Sequence, residues 1–430
     1  PHLTHSPHPP TSNRRSPLHR LLKGLPKVLL ISLLMTALLM GVRYTGMLEA
    51  WELRTYDQLL RSRLSEPPDT RILIVTIDDQ ARQRYGAEKE GIGRISLSDR
   101  HLRQLLDTLI AQQPRVIGLD LYRDFPVDAE QAPLTTQLQQ DERIIAVCKA
   151  RYMGDDSIAP PPDVPARRVG FSDMLADADG VLRRHLLFMT AVYQDKEAPC
   201  TAPYALSVRV ALQYLQAEGI TPTFTSDHHL KLGEVEFGNL SEFSGGYHRM
   251  DAGGSQILLN YRVNPKAATQ VPLSSILLGE VNPDVIRDRI ILIGVTAESA
   301  PDKWITPLDR RMPGVIAQAH MTSEIISAVL DKRPLLWVWS FWGEVAWIGL
   351  WSIVGGILAW QFHPFARSRL DLVPLLASIL LSATILLGLC FIIFLLYGGW
   401  IPLIPANLAL LMTAIAVVLL GKRSGKVTKS

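Results

Sequence analysis

Several acids of this chain stand where apolar runs stop. Arg71-Ile72-Leu73-Ile74-Val75-Thr76-Ile77 leads into Asp78-Asp79, Arg115-Val116-Ile117-Gly118-Leu119 leads into Asp120, and Asp124 follows one short loop later. In open α/β sheets, ligands bind beyond the carboxyl ends of the strands. Asp78, Asp79, Asp120 and Asp124 would there coordinate a hard cation or accept hydrogen bonds from a polar ligand. For each acid taken singly, the competing reading is a helix cap or a turn; the pair Asp78 and Asp120 makes the better case for a site. Asp177-Ala178-Asp179-Gly180 opens like a calcium loop but lacks the downstream bidentate glutamate. Val181-Leu182-Arg183-Arg184 follows at once, so the segment reads as a hairpin turn entering a strand. His320 stands among Ile316, Ala317, Ile325 and Ile326, the setting of a packed histidine rather than a metal ligand. The chain has no Ser-His-Asp order, Cys-His pair or HExxH motif. The expectation is therefore a protein that is not an enzyme, with no cofactor and no metal.

Those acids need strands and helices to place them. Residues 47–64 carry Leu48, Trp51, Leu53, Tyr56, Leu59, Leu60 and Leu64 mostly on one helical face, with Pro67-Pro68 as the stop. Strands are expected at 71–77, 115–120, 143–147, 256–261 and 289–294. Helices are expected at 97–110, with Ser98 as N-cap, and at 202–216, 274–278 and 315–330. This spacing implies right-handed βαβ units, and runs such as ILIVTI and IILIGV suit strands covered on both faces. The fold expected is an α/β domain with a mainly parallel sheet and Gly/Pro-rich insertions around 153–165 and 219–255.

The hydrophobic residues, 47% of 430, are concentrated in four blocks, 25–42, 337–360, 372–396 and 402–420. A helix crossing a bilayer needs about 20 apolar residues, so each block reads as a transmembrane α-helix. Pro374, Pro402 and Pro405 fall in first turns or just outside them. Arg14, Arg15, Arg20, Lys23 and Lys27 flank the first block, Arg367 and Arg369 lie in the 361–371 loop, and Lys422, Arg423, Lys426 and Lys429 in the 421–430 tail. The 397–401 turn, built on Gly398-Gly399, is uncharged. The positive-inside rule then puts both termini and the 361–371 loop in the cytoplasm and residues 43–336 outside. Residues 1–24 read as a disordered basic tail.

A signal peptide would also have a basic start and an apolar run. However, Val42-Arg43-Tyr44-Thr45-Gly46 offers no small-x-small cleavage site, which favours an uncleaved anchor. Trp337, Trp339 and Trp342 read as an interfacial belt. Glu344 is costly in lipid and reads either as a residue at the headgroups or a helix–helix contact, or as a transmembrane coupling residue. Cys148 and Cys200 both fall outside, where a disulfide between them competes with two separate buried thiols; Cys390 lies in the third block. A net charge of +3, carried beside the apolar blocks, argues against nucleic acid as a partner.

Longer stretches carry a family resemblance. Glu52-Leu53-Arg54-Thr55-Tyr56-Asp57 with Leu59-Leu60-Arg61-Ser62-Arg63, then ILIVTIDD and VIGLDLYRDFP, begin a series of matching blocks. It continues through VGFSDMLADADGVLRRHLLF (169–188), ILLNYR (257–262), RIILIGVTAESAPDKWITPL (289–308) and MPGVIAQAHMTSEIISAVLDKRPLL (312–336). In this order the blocks resemble the type-2 CHASE domain, an extracellular sensory domain associated with cyclases and histidine kinases. The resemblance covers essentially all of 43–336 and extends to the layout of one helix before and three after. It implies a multi-pass sensor of the bacterial inner membrane. Thr296, Asp302, Lys303 and Trp304, which follow a strand end and match the family, become pocket-rim candidates. Where relatives often carry Gly-Arg-Trp-Pro, this chain has Gly93-Arg94-Ile95-Ser96, so a pocket role is not carried over to that loop.

Many relatives continue into a cytoplasmic output module. The cytoplasmic parts expected here hold no P-loop, kinase signature or cyclase-sized segment. The expected sensor reports to an output protein in trans, or to a module outside this sequence. A homodimer through the first span fits such sensors, although no small-xxx-small pattern marks it. The alternative function is a structural or assembly subunit of a membrane complex, with the outer domain docking other proteins.

Overall fold

The structure, a computed structural model, describes residues 17–86, 97–150, 156–189, 198–263, 266–308, 311–362 and 372–427. The expectations for residues 1–16, for Gly93, Arg94, Ile95 and Ser96, and for most of the 361–371 loop lie outside them. Two compact units divide the chain. An α/β unit comprises Tyr56–Trp337 and Leu395–Gly399; a helical unit comprises Pro1–Thr55, Val338–Phe394 and Trp400–Ser430.

In chain order, α1 (Pro17–Tyr44) and α2 (Glu49–Arg61) precede β1 (Asp69–Ile77), α3 (Asp79–Tyr85), α4 (Asp99–Ala111), β2 (Val116–Asp120), α5 (Ala132–Gln140), β3 (Ile144–Cys148), β4 (Val169–Phe171), β5 (Arg184–Phe188) and α6 (Leu206–Gln216). Then come β6 (Pro222–Phe224), β7 (Leu230–Leu232), β8 (Val235–Phe237), β9 (Ser255–Leu258), β10 (Ala268–Pro272), α7 (Leu273–Leu277), β11 (Ile290–Val295), β12 (Lys303–Trp304), β13 (Met312–Pro313) and α8 (Gly314–Leu330). The chain continues through β14 (Trp337–Val338), α9 (Phe341–Phe362), α10 (Val373–Tyr397), β15 (Gly399–Trp400) and α11 (Ile404–Val427).

β1, β2, β3 and β11 are Ile-, Leu- and Val-rich runs buried nearly throughout, a pattern that needs cover on both faces. They form the centre of a six-stranded sheet, ordered β10-β1-β11-β2-β3-β4, in which every pairing is parallel. α6 and α8 pack on the sheet and on each other. On α4, Leu102, Leu105, Leu106 and Leu109 recur at helical spacing and all enter the same core.

Several boundaries differ from the sequence expectation, each for a local reason. Within 256–261 the strand is β9, which pairs antiparallel with β5 in a ladder of its own. Its Gln256 is buried as the partner of Arg184, a contact the central sheet does not offer. α2 ends at Arg61, ahead of Pro67-Pro68, and Trp51 and Leu64 are exposed, so the buried positions reduce to Leu48, Leu53, Tyr56, Leu59 and Leu60. α6 starts at Leu206 rather than 202, because Pro203 biases Ala202 toward an extended backbone. Ser98 occupies the N-cap of α4, but its hydroxyl meets Nδ1 of His101 at 2.7 Å instead of a backbone N–H.

In the helical unit, α1, α9 and α11 pack pairwise. A Cβ on Gly355 of α9 would lie 2.1 Å from the Leu410 carbonyl oxygen of α11, so only glycine lets those backbones approach. The Ser352 hydroxyl lies 2.6 Å from Thr413 Oγ1 and 3.1 Å from the Ser32 carbonyl, giving buried polar atoms partners across the three helices. Among the described residues three helices are long and apolar enough to cross a membrane: Gly24–Tyr44, Phe341–Phe362 and Val373–Tyr397. The apolar part of α11, Ile404–Leu420, is shorter. The second of these begins at Phe341 rather than 337, since Trp337 is extended and its N–H donates to the Gly398 carbonyl.

Candidate functional site

The acids at the end of β1 are taken up by local structure. α3 starts at once after β1, and Asp78 is its N-cap, accepting from the Ala81 N–H at 2.7 Å. Asp79 accepts from the Glu298 N–H at 2.8 Å and from the Ser299 hydroxyl. That hydroxyl is the main reason its carboxyl sits below the usual aspartate range. Thr296 donates its N–H to the Ile77 carbonyl at 2.9 Å. These residues pin β1 to the segment after β11.

β2 ends differently. The chain beyond Asp120 stays non-helical, held by buried Arg123, which donates to the Leu97 carbonyl at 3.0 Å and pairs with Asp99. No donor caps Asp120 among the described residues. Its carboxyl lines a cavity of about 350 Å³, within the size range of small-ligand sites. Tyr122, Lys149, Ser172, Asp302 and Trp304 also line it, so the cavity lies past the carboxyl ends of β11, β2, β3 and β4, as ligand sites in such sheets do.

The walls are tied down. Asp302 Oδ1 accepts from the Trp304 indole N–H at 2.9 Å. Its Oδ2 rests against the start of α8 so closely that a Cβ on Gly314 would fall 2.1 Å away. A carboxylate at a helix N-terminus is favoured by the helix dipole. The Tyr122 and Ser172 hydroxyls are 2.6 Å apart, and the Ser172 N–H donates to the Cys148 carbonyl at 3.0 Å. Cys148 and Cys200 are joined as a disulfide with Cα atoms 5.6 Å apart, which fastens the end of β3 next to Lys149.

Burial, and then the neighbouring Asp302 carboxylate, push the Asp120 carboxyl up to about 8. Burial also raises Asp302, an effect opposed by the Trp304 indole N–H that donates to its carboxylate. At neutral pH Asp120 therefore keeps its proton beside the Asp302 carboxyl.

The structure regroups the residues singled out from sequence. Asp120, Asp302 and Trp304 come together. Asp78 and Asp120 do not: β11 lies between β1 and β2, which sets those strands about 10 Å apart. Asp124 lies in the loop beyond β2 and is not among the residues lining the cavity. Lys303 turns to Glu298, donating to its carbonyl at 2.8 Å and to its carboxylate at 2.5 Å. His320 is buried, accepts from the Arg262 N–H at 3.3 Å, and is pushed down to about 3 by burial and by Arg333 and Arg262. Asp177 and Gly180 form the turn, with the Asp177 N–H on the Val181 carbonyl at 2.9 Å. In the helical unit, Glu344 is a helix–helix contact: Arg43 donates to it and to Glu52, with Nη2 3.1 Å from Glu344 and Nε 2.9 Å from Glu52. Among the described residues no three His, Cys, Asp or Glu side chains converge as a metal site.

Two polar clusters have no signal in the sequence. Buried Arg183 is held by Asp57, Asp177 and Asp179, all at 2.7–2.9 Å. His185 places Nε2 2.8 Å from the Ser207 hydroxyl and Nδ1 3.1 Å from Glu324, a serine–histidine–acid chain drawn from β5, α6 and α8. All three residues are at most 1% exposed, so this chain braces the core and is closed to a substrate. Residues 185, 207 and 324 meet only through the tertiary fold, which is why no motif announces them.

A family model described as CHASE2 domain matches residues 34–357. No curated protein and no solved structure gives a significant match.

Proposed function

Since this chain belongs to the CHASE2 domain family, a family of extracellular sensory domains, we propose that it is a membrane-bound sensor whose cavity at Asp120 and Asp302 receives the stimulus. The α/β unit lies outside the bacterial inner membrane, four helices span it, and both termini are cytoplasmic. The role is binding and signalling, not catalysis, and the output is a partner protein in trans.

One observation carries this reading. Asp302 lines the cavity and also abuts Gly314, the first residue of α8, and α8 is the last helix before α9 in the chain. A ligand that engages Asp302 therefore acts on the start of that helix. It shifts the sensor only by its differential affinity for two conformations. Ion pairs along α2 support a second route, with Arg43 holding Glu52 and Arg183 holding Asp57. Glu344, on the same arginine as Glu52, is the coupling residue in the span.

Hydrogen exchange of the full chain in nanodiscs tests the reading. Small-molecule extracts of the bacterial periplasm are expected to change protection at the start of α8, and Asp302→Asn to abolish the change. Unaltered exchange across all fractions would contradict it. Alkaline phosphatase fused near residue 200 is expected to be active; an inactive fusion would overturn the topology.

A further inference from the structure

The lining of the cavity narrows what it holds, given that this cavity is the sensory site. Among the described residues its charged groups are Asp120 from β2, Lys149 after β3, Asp173 after β4 and Asp302 after β11, three acids to one base. Asp173 is engaged, accepting from the Ala150 N–H at 2.8 Å, and Asp302 from Trp304. The Asp120 carboxyl has no donor among the described residues. A concave, net acidic cavity repels anions and leaves one carboxyl in want of a donor. A bare divalent cation fits poorly, because hard cations take six or more oxygens and no three ligating side chains converge here among the described residues. Apart from Ser172, the remaining wall among the described residues is apolar and aromatic, with Tyr122, Trp304, Ile158 and Met174. Such a wall suits the carbon body of an organic cation and favours its charge through the rings.

We propose that the cavity binds a small organic amine or guanidine, its cationic head between Asp120 and Asp302 and its carbon body against Tyr122 and Trp304. The cation takes the place of the proton that Asp120 keeps up to about pH 8. Binding therefore releases one proton, and affinity rises about tenfold per pH unit up to the point where Asp120 ionises unaided, then levels off.

Calorimetry on the full chain in nanodiscs tests this with agmatine, putrescine and phenethylamine, and with 2-phenylethanol as the uncharged counterpart of the last. At least one amine is expected to bind, with affinity rising about tenfold per unit from pH 6 to pH 7.5, and the alcohol at least tenfold more weakly. Asp302→Asn is expected to weaken the amine at least tenfold, and Asp120→Asn to flatten the pH dependence, with both variants checked for cooperative unfolding. No amine binding, equal binding of the alcohol, or amine binding indifferent to both folded variants would overturn the proposal. Hydrogen exchange at α8 separates it from the sensory reading. A neutral or anionic compound that alters α8 through this cavity refutes the amine and leaves the sensor standing. Amine binding that leaves α8 unaltered supports the ligand class and counts against the sensor.

Discussion

At the carboxyl end of β1, Asp78 accepts the Ala81 N–H and opens α3, whereas at the end of β2, Asp120 meets a non-helical segment and no donor among the described residues. The two strands look alike in sequence, each an apolar run closed by an acid. The difference lies in the residues just downstream of each acid. Gln80-Ala81-Arg82 continues readily as helix, so Asp78 becomes its cap. After β2, Pro126 disfavours helix for Phe125, and Arg123 is drawn inward to Leu97 and Asp99. A strand-end acid that leads into a helix is spent on structure; one that leads into an anchored loop stays open to a ligand.

Breaking the anchor should have the largest effect. Arg123→Ala removes a buried guanidinium and leaves half-buried Asp99 without its cation, which costs up to about 3–5 kcal/mol. Chemical unfolding of the full chain should show this loss, together with loss of ligand binding at the cavity. An unchanged midpoint would mean that the β2 loop does not depend on Arg123.

The acids themselves should respond with opposite signs. Folded Asp120 keeps its proton to about pH 8, whereas the ordinary aspartate value is 3.8. Between those values the folded state binds more protons than the unfolded one, so stability falls as pH rises through the window and levels off above it. Asp120→Asn removes that penalty. Thermal melts should find the variant more stable than the parent by about 1–3 kcal/mol at pH 9, with little difference at pH 4. Asp78→Ala should instead destabilise by about 1 kcal/mol, the usual loss of an N-cap. It should leave ligand binding at the cavity intact; a cavity defect in Asp78→Ala would erase the contrast between the two strand ends.

The central strands were legible because ILIVTI, VIGLD and IILIGV are apolar on both faces and demand a covered parallel sheet. β10, with its sequence ATQVP, carries no such pattern, and β5 and β9 bury Arg184 and Gln256 that look like surface residues until they meet. Site legibility ran along the same line. Asp120 and Asp302 could be picked out as acids beyond strand ends, yet their pairing depends on β11 inserting between β1 and β2, a long-range register that no local window contains. Lys149 and Ser172 reach the cavity from β3 and β4 for the same nonlocal reason. In the helical unit, hydropathy located the apolar blocks, while the Arg43, Glu52 and Glu344 cluster needed three helix termini to be brought together.

The most direct test is an infrared titration of the full chain, tracking the carboxyl C=O band of the protonated acid in the parent, Asp120→Asn and Asp78→Asn. A carboxyl that loses its proton near pH 8 is expected in the parent and in Asp78→Asn, and is expected to vanish in Asp120→Asn. If the parent has no acid titrating above the ordinary carboxylate range, or if Asp120→Asn leaves that band unchanged, Asp120 is not the open acid of a ligand cavity.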